Sequence, residues 1–207
     1  MDALKAIQTD SQNDLNTVSA CVPAYVNAIA EREIAFEPLG KLITRVMNAL
    51  RASGTNPAIK AKAAALVRKL QGYRLSSRSS KENNGMNSKE VNKISSSQLG
   101  FNNRVSNLDK LINLLRTIPE YNPNEPELKV DSLAALMEDL RAKNNAVIEA
   151  TTPLSNARIA RNNILYNNGS GLVERAFNVK AYVKSIYGAT SPQYHQVSGL
   201  EFRRARM

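Results

Sequence analysis

Apolar side chains recur every third or fourth residue through most of this chain, a spacing that lines one face of a helix and cannot line the face of a strand. Leu15, Val18, Val22, Tyr25, Ile29 and Phe36 follow it, interrupted only by Arg32, and predict a first helix over about 12–35. Leu39, Leu42, Ile43, Val46 and Leu50 predict a second, from Pro38 to about residue 52, stopped by GTNP at 54–57. A third begins near Pro57 with Ile59, Ala63, Leu66, Leu70 and Tyr73 on one face, and a fourth carries Val105, Leu108, Leu111, Ile112, Leu115 and Ile118 up to Pro119. Leu133, Met137, Leu140, Val147, Leu154 and Leu165 keep heptad spacing along a long fifth helix, about 127–166. After the corner NNGSG at 167–171, Leu172, Val173, Ala176, Val179, Val183 and Ile186 predict a sixth. The tail GATSPQYHQVSGLEFRRARM reads as turn-rich and mixed.

Composition points the same way. Aromatic residues make up 5% of the chain and tryptophan is absent, which disfavours a sandwich or barrel built from aromatic-rich strands. At 207 residues the chain is long enough to bury a core without disulfides or metals. Cys21 stands alone, so no intramolecular disulfide can form, and the start MDALKAIQTDSQNDL shows no basic segment followed by an apolar one. A cytoplasmic location is the expectation. No apolar run approaches the ~20 residues needed to cross a bilayer, so no membrane span is expected.

Pro23 and Pro153 each fall inside a stretch whose periodicity is otherwise helical, and a proline there removes one backbone hydrogen bond at a cost of ~3 kcal/mol. They are also in register. A shift of 130 residues places Ala20 on Ala150, Pro23 on Pro153, Ile29 on Ile159, Ile34 on Ile164 and Phe36 on Tyr166. Three extra residues in NNGSG then bring Leu39 onto Leu172 and Val46 onto Val179, and GTNP at 54–57 answers ATSP at 189–192. A partial third copy pairs MNALR at 47–51 with INLLR at 112–116, each followed by an Asn-Pro turn at Asn56-Pro57 and Asn122-Pro123. These matches predict an internal duplication in which 12–60 and 142–195 share one path: kinked helix, corner, helix and turn. The expected architecture is an elongated antiparallel all-α bundle of two duplicated halves, 1–75 and 99–207, packed as one. Residues 76–98, SSRSSKENNGMNSKEVNKISSSQ, join them; their only aliphatic or thioether side chains, Met86, Val91 and Ile94, predict a flexible linker or a frayed helix.

The residues that usually carry chemistry form no constellation. His195, the single histidine, lies in SPQYHQ with no glutamate three residues before it, so the Glu-x-x-His pair of a di-iron bundle is missing. Cys21, between Ala20 and Val22 on a helical stripe, reads as packing rather than as an activated thiol. No phosphate-binding glycine loop occurs, because NNGSG joins helix to helix. Neither enzymatic activity nor a cofactor, metal or small-molecule substrate is expected.

Charge is the feature left over. The net charge is +10, and between Glu37 and Glu82 no acidic residue occurs, while Lys41, Arg45, Arg51, Lys60, Lys62, Arg68, Lys69, Arg74 and Arg78 fall there. Lys41 and Arg45 share a helix face, as do Lys62 and Lys69, so Lys41, Arg45, Lys62, Arg68, Lys69 and Arg74 are candidates for contact with an anionic partner. Only Tyr73 interleaves with them, which speaks against a stacking platform for single strands. In the long helix, Asn144, Arg158 and Arg161 occupy stripe positions, and the repeat sets Arg161 on Glu31. That correspondence makes Glu31 and Arg161 a candidate buried pair.

Two stretches, RVSNLDKLINLLRTIPEYNPNEPELKV at 104–130 and PLSNARIARNNILYNNGSGLVERAFNVKAYVKSIYGATSPQYHQVSGLEF at 153–202, resemble a group of uncharacterised bacterial all-helical proteins of about this length. The resemblance implies a bacterial, helical protein and carries no functional residue across. The expected function is that of a non-catalytic helical scaffold or interaction protein, with a protein partner or self-association. Its contacts would use bundle faces, the basic segment, or the aromatic tail containing Tyr187, Tyr194 and Phe202. The alternative is a nucleic-acid-associated protein contacting phosphates through 41–78.

Overall fold

The computed structural model describes residues 2–72 and 99–203. Among these it contains seven α-helices, one 3-10 turn and no strand, so the all-helical class is present. The helices are α1 Asp2–Phe36, α2 Leu39–Ala52, α3 Pro57–Gln71, α4 Phe101–Arg116, α5 Val130–Tyr166, α6 Leu172–Tyr187 and α7 Pro192–Ser198, with the 3-10 turn at Pro126–Leu128. The expected linker at 76–98 and the candidate Arg74 lie outside the described residues.

Two elements differ from the periodicity reading. α1 begins at Asp2 rather than near residue 12. Its first turns lack a wide apolar stripe but are rich in alanine, leucine, lysine and glutamine, which favour a helix without one. In the tail, α7 forms in place of the expected turns. Its origin is local: Ser191 Oγ accepts the Tyr194 N–H at 3.1 Å, and Pro192 occupies the first helical position, where no amide hydrogen is needed. The same device starts α3, where Asn56 Oδ1 accepts the Ala58 N–H at 2.8 Å ahead of Pro57. At the other end of α3, Gly72 takes φ +73, a left-handed cap that returns its N–H to the Arg68 carbonyl.

Both long helices run unbroken through their prolines, Pro23 in α1 and Pro153 in α5. Each proline sits 13 residues before the last residue of its helix, Phe36 or Tyr166. Both are exposed, so water can reach the carbonyls they leave unbonded. The Gly171 N–H bonds the Asn167 carbonyl at 2.7 Å where the chain turns from α5 into α6. A Cβ at Gly171 would stand 2.7 Å from Asn167 backbone, so that corner needs glycine.

The helices sort into two compact units that do not follow the expected division at the linker. The central unit is Ala30–Ala146; the terminal unit joins Met1–Ile29 to Val147–Met207. The central unit holds a contiguous apolar core. Leu39, Ile43, Val46 and Leu50 of α2 and Leu108, Leu111, Ile112 and Leu115 of α4 are at most 1% exposed. Burial of each such side chain contributes about 1.5–3 kcal/mol. α2 and α3 form an antiparallel hairpin on which α4 packs: Gln71 Nε2 reaches Thr44 Oγ1 at 2.8 Å, and Lys60 Nζ donates to the Arg51 and Ser53 carbonyls at 2.9 and 2.7 Å. The 3-10 turn is anchored by Tyr121, whose phenol donates to the Leu128 carbonyl at 2.8 Å.

The terminal unit is organised differently. Among its described residues the buried apolar side chains are Val147, Leu154 and Ala157. α6 and α7 bury none. They are held together by Lys180 Nζ, which donates to the Ser198 and Leu200 carbonyls at 2.9 and 2.6 Å, and by an edge-to-face pair of Phe177 and Phe202 at 5.9 Å.

Candidate functional site

The basic segment folds into the α2–α3 hairpin, and the structure divides its residues by role. Lys41, Lys62, Arg68 and Lys69 are exposed, and among the described residues no carboxylate lies within ion-pair distance of them. Arg45, another of the candidates, pairs with Glu127 at 2.6 Å. The carboxylate's hydrogen bond raises the Arg45 pKa, and the guanidinium lowers that of Glu127. Lys60 caps the carbonyls at the end of α2, where four backbone acceptors lack helical partners.

The candidate pair Glu31 and Arg161 is divided between the two units, Glu31 in the central and Arg161 in the terminal one. Glu31 is exposed and binds Lys143 Nζ at 2.9 Å, raising the lysine's pKa, while Arg161 donates to Asn162 Oδ1 at 2.8 Å. The groups that do carry buried polarity lie one residue further along each helix. Arg32 Nη1 donates to Asn144 Oδ1 at 3.3 Å and stacks over the Phe101 ring at 3.9 Å. Asn144, 6% exposed, donates in turn to Asn102 Oδ1. Arg104 mirrors Arg32: it lies 5.2 Å over the Phe36 ring and donates to the Phe36 carbonyl at 3.3 Å, capping the end of α1. Phe36 and Phe101 meet edge to face at 4.9 Å, so two rings and two guanidinium groups form one cluster. Desolvation lowers the Arg104 pKa. The Nε atoms of both arginines are buried without a hydrogen-bond partner. Arg32 and Asn144 had a sequence signal, as polar residues on apolar stripes; Arg104 had none.

Beside this cluster a cleft of about 260 Å³ is lined by Asn102, Val105, Ser106, Asp109, Arg141, Asn144 and Asn145. Its charged groups are engaged at the rim: Arg141 with Glu138 at 2.9 Å, and Asp109 with the Asn113 amide at 3.3 Å. The chemistry this arrangement supplies is bracing, which fixes the α1–α2 corner against α4 and α5. Among the described residues no three histidine, cysteine or carboxylate side chains gather as metal ligands, and no helix is long and apolar enough to cross a membrane. Cys21 is half-buried on α1, and His195 is exposed on α7.

Among the described residues, most of the large apolar side chains left open to solvent belong to the terminal unit, and Ile34 and Leu99 are those of the central unit. On α1, Leu4, Leu15, Val22 and Val26 share one line at helical spacing. On α6, Val179, Tyr182 and Ile186 do the same and are 43%, 66% and 54% exposed. In the tail, Tyr187 is open, whereas Tyr194 lies under Lys184 and Phe202 packs on Phe177. Comparison with protein-family models, with curated proteins and with solved structures finds no match.

Proposed function

We propose that the chain is a non-catalytic helical scaffold whose terminal unit is an interaction module. The observation that carries this reading is the contrast between the units. One buries a continuous core, while the other leaves apolar lines open on α1 and α6, and patches of that kind mark sites of association. Internal duplication, read from the sequence register, is part of the same proposal. Each half has a long helix with a proline 13 residues before its end, a corner, a second helix, a four-residue turn and a third helix begun by a side-chain cap and a proline. A duplicated element without the neighbour that covers its counterpart is a natural place for a partner.

A second reading rests on Lys41, Lys62, Arg68 and Lys69, exposed cations on a face that can follow phosphates. Titration of the full chain against duplex DNA and RNA at low salt separates the two. The scaffold reading predicts no binding there, where electrostatic association is strongest. Tight binding would overturn it, the more so if replacing the four cations with glutamine flattened the salt slope by about 0.9 per lost phosphate contact on DNA.

A further inference from the structure

The two long helices lie along each other in opposite directions. Glu31 binds Lys143 and Arg32 binds Asn144, and the segment before the first pair, 1–29, gathers into one unit with the segment after the second, 147–207. α1 followed backwards therefore travels with α5 followed forwards. The covered side chains keep a heptad seam: Ser11, Asp14, Val18, Cys21, Tyr25 and Ala28 on α1 alternate steps of three and four, and Val147, Leu154 and Arg161 on α5 stand seven apart. Register follows from the bond between Arg32 and Asn144. Nine residues back from Arg32 is Pro23, and nine residues forward from Asn144 is Pro153, so the two interior prolines stand at one level of the helix pair.

Three features weaken both helices there. Each proline removes the amide that its helix needs, so the carbonyls of Ser19 and Glu149 lose their helical donors. Hydroxyl groups crowd the same turns: Ser19 donates to the Leu15 carbonyl at 3.0 Å, and Thr151 and Thr152 donate to the Val147 and Ile148 carbonyls at 2.6 and 3.2 Å. Such back-bonding bends helices. Packing is also thin, because α5 buries no residue between Val147 and Leu154 and α1 buries none between Ser11 and Phe36. A single weak turn beside an intact helix is splinted by its neighbour, whereas two at one level leave the pair without a splint. We propose that Pro23 and Pro153 form one joint, a hinge within the terminal unit about which residues 2–22 and 154–203 swing together. Its consequence for function is reach: the open apolar line of α6 is presented over a range of angles instead of one. The hinge stands independently of any partner at that line.

Hydrogen exchange of the full chain, read by mass spectrometry, should be faster for the amides of 20–27 and 149–156 than for the turns on either side of each. A joint couples its two helices, which gives the decisive comparison. Pro23→Ala should slow exchange roughly tenfold in its own helix and also in 149–156 of α5, and Pro153→Ala should do the same in 20–27 of α1. Alanine favours the helix, so both variants keep the fold. A second reading uses spin labels at Ala142→Cys and Asn163→Cys, on either side of Pro153, in a Cys21→Ser background. Their distance distribution should be broad and should narrow when Pro153→Ala or Pro23→Ala is added. Slowing confined to the substituted helix overturns the proposal, because it shows two separate weak turns. Exchange at this level as slow as in the neighbouring turns overturns it too, as does a distance distribution of the same width with and without the prolines.

Discussion

Tyr121 is 6% exposed and donates its phenol to the Leu128 carbonyl, so removing the hydroxyl leaves a buried acceptor with nothing to accept. Tyr121→Phe should lower stability by about 1–3 kcal/mol in urea unfolding at neutral pH. The same phenol gives an alkaline signature. Burial, with a smaller contribution from Glu125, pushes its pKa up to about 12 from an ordinary value of 10. The folded state therefore holds this proton more tightly than the unfolded chain. The resulting stabilisation is complete below the unfolded value and is lost as pH rises from about 10 through about 12, at a scale of roughly 2 kcal/mol. The wild type's advantage over Tyr121→Phe should shrink across that window. Apolar positions separate as sharply: Leu111→Ala, in the central core, should cost about 2–5 kcal/mol. Val179→Ala, on the open face, should cost under about 0.5 kcal/mol in dilute protein.

Helices α2 to α6 are legible in the sequence because tertiary packing needs one apolar face, and that need writes itself into the spacing of residues such as Ile43, Val46 and Leu50. α1 before residue 12 and α7 are not, because propensity and capping make them, and neither leaves a stripe. At the candidate sites, Arg32 and Asn144 stand out as polar interruptions of apolar lines, but their partners cannot be read from spacing. The 130-residue repeat register sets Glu31 against Arg161, whereas the helices bring Arg32 to Asn144 and Glu31 to Lys143. Which cation meets an acid is likewise invisible along a chain, since Arg45 and Glu127 are 82 residues apart. The interior prolines give a prediction at this scale. Pro23 is exposed within a continuous helix, so Pro23→Ala should restore an amide donor and stabilise the protein by about 1–3 kcal/mol, measured by thermal unfolding.

The central unit holds a contiguous core, and under the scaffold reading the terminal unit leaves its apolar lines open for a partner. The two units should then differ in local stability, because helices with few buried apolar contacts open more readily than helices in a core. Ion pairs add little to this contrast: those between Arg45 and Glu127 and between Lys143 and Glu31 are exposed and screened by salt. Hydrogen exchange read by mass spectrometry, on the wild-type chain in dilute solution, observes both units in one sample. Amides of α6 should exchange faster than those of α2 and α4, whose apolar faces are buried. Protection of α6 equal to that of α4 would contradict the scaffold reading, because it would mean that the face of Val179, Tyr182 and Ile186 needs no partner.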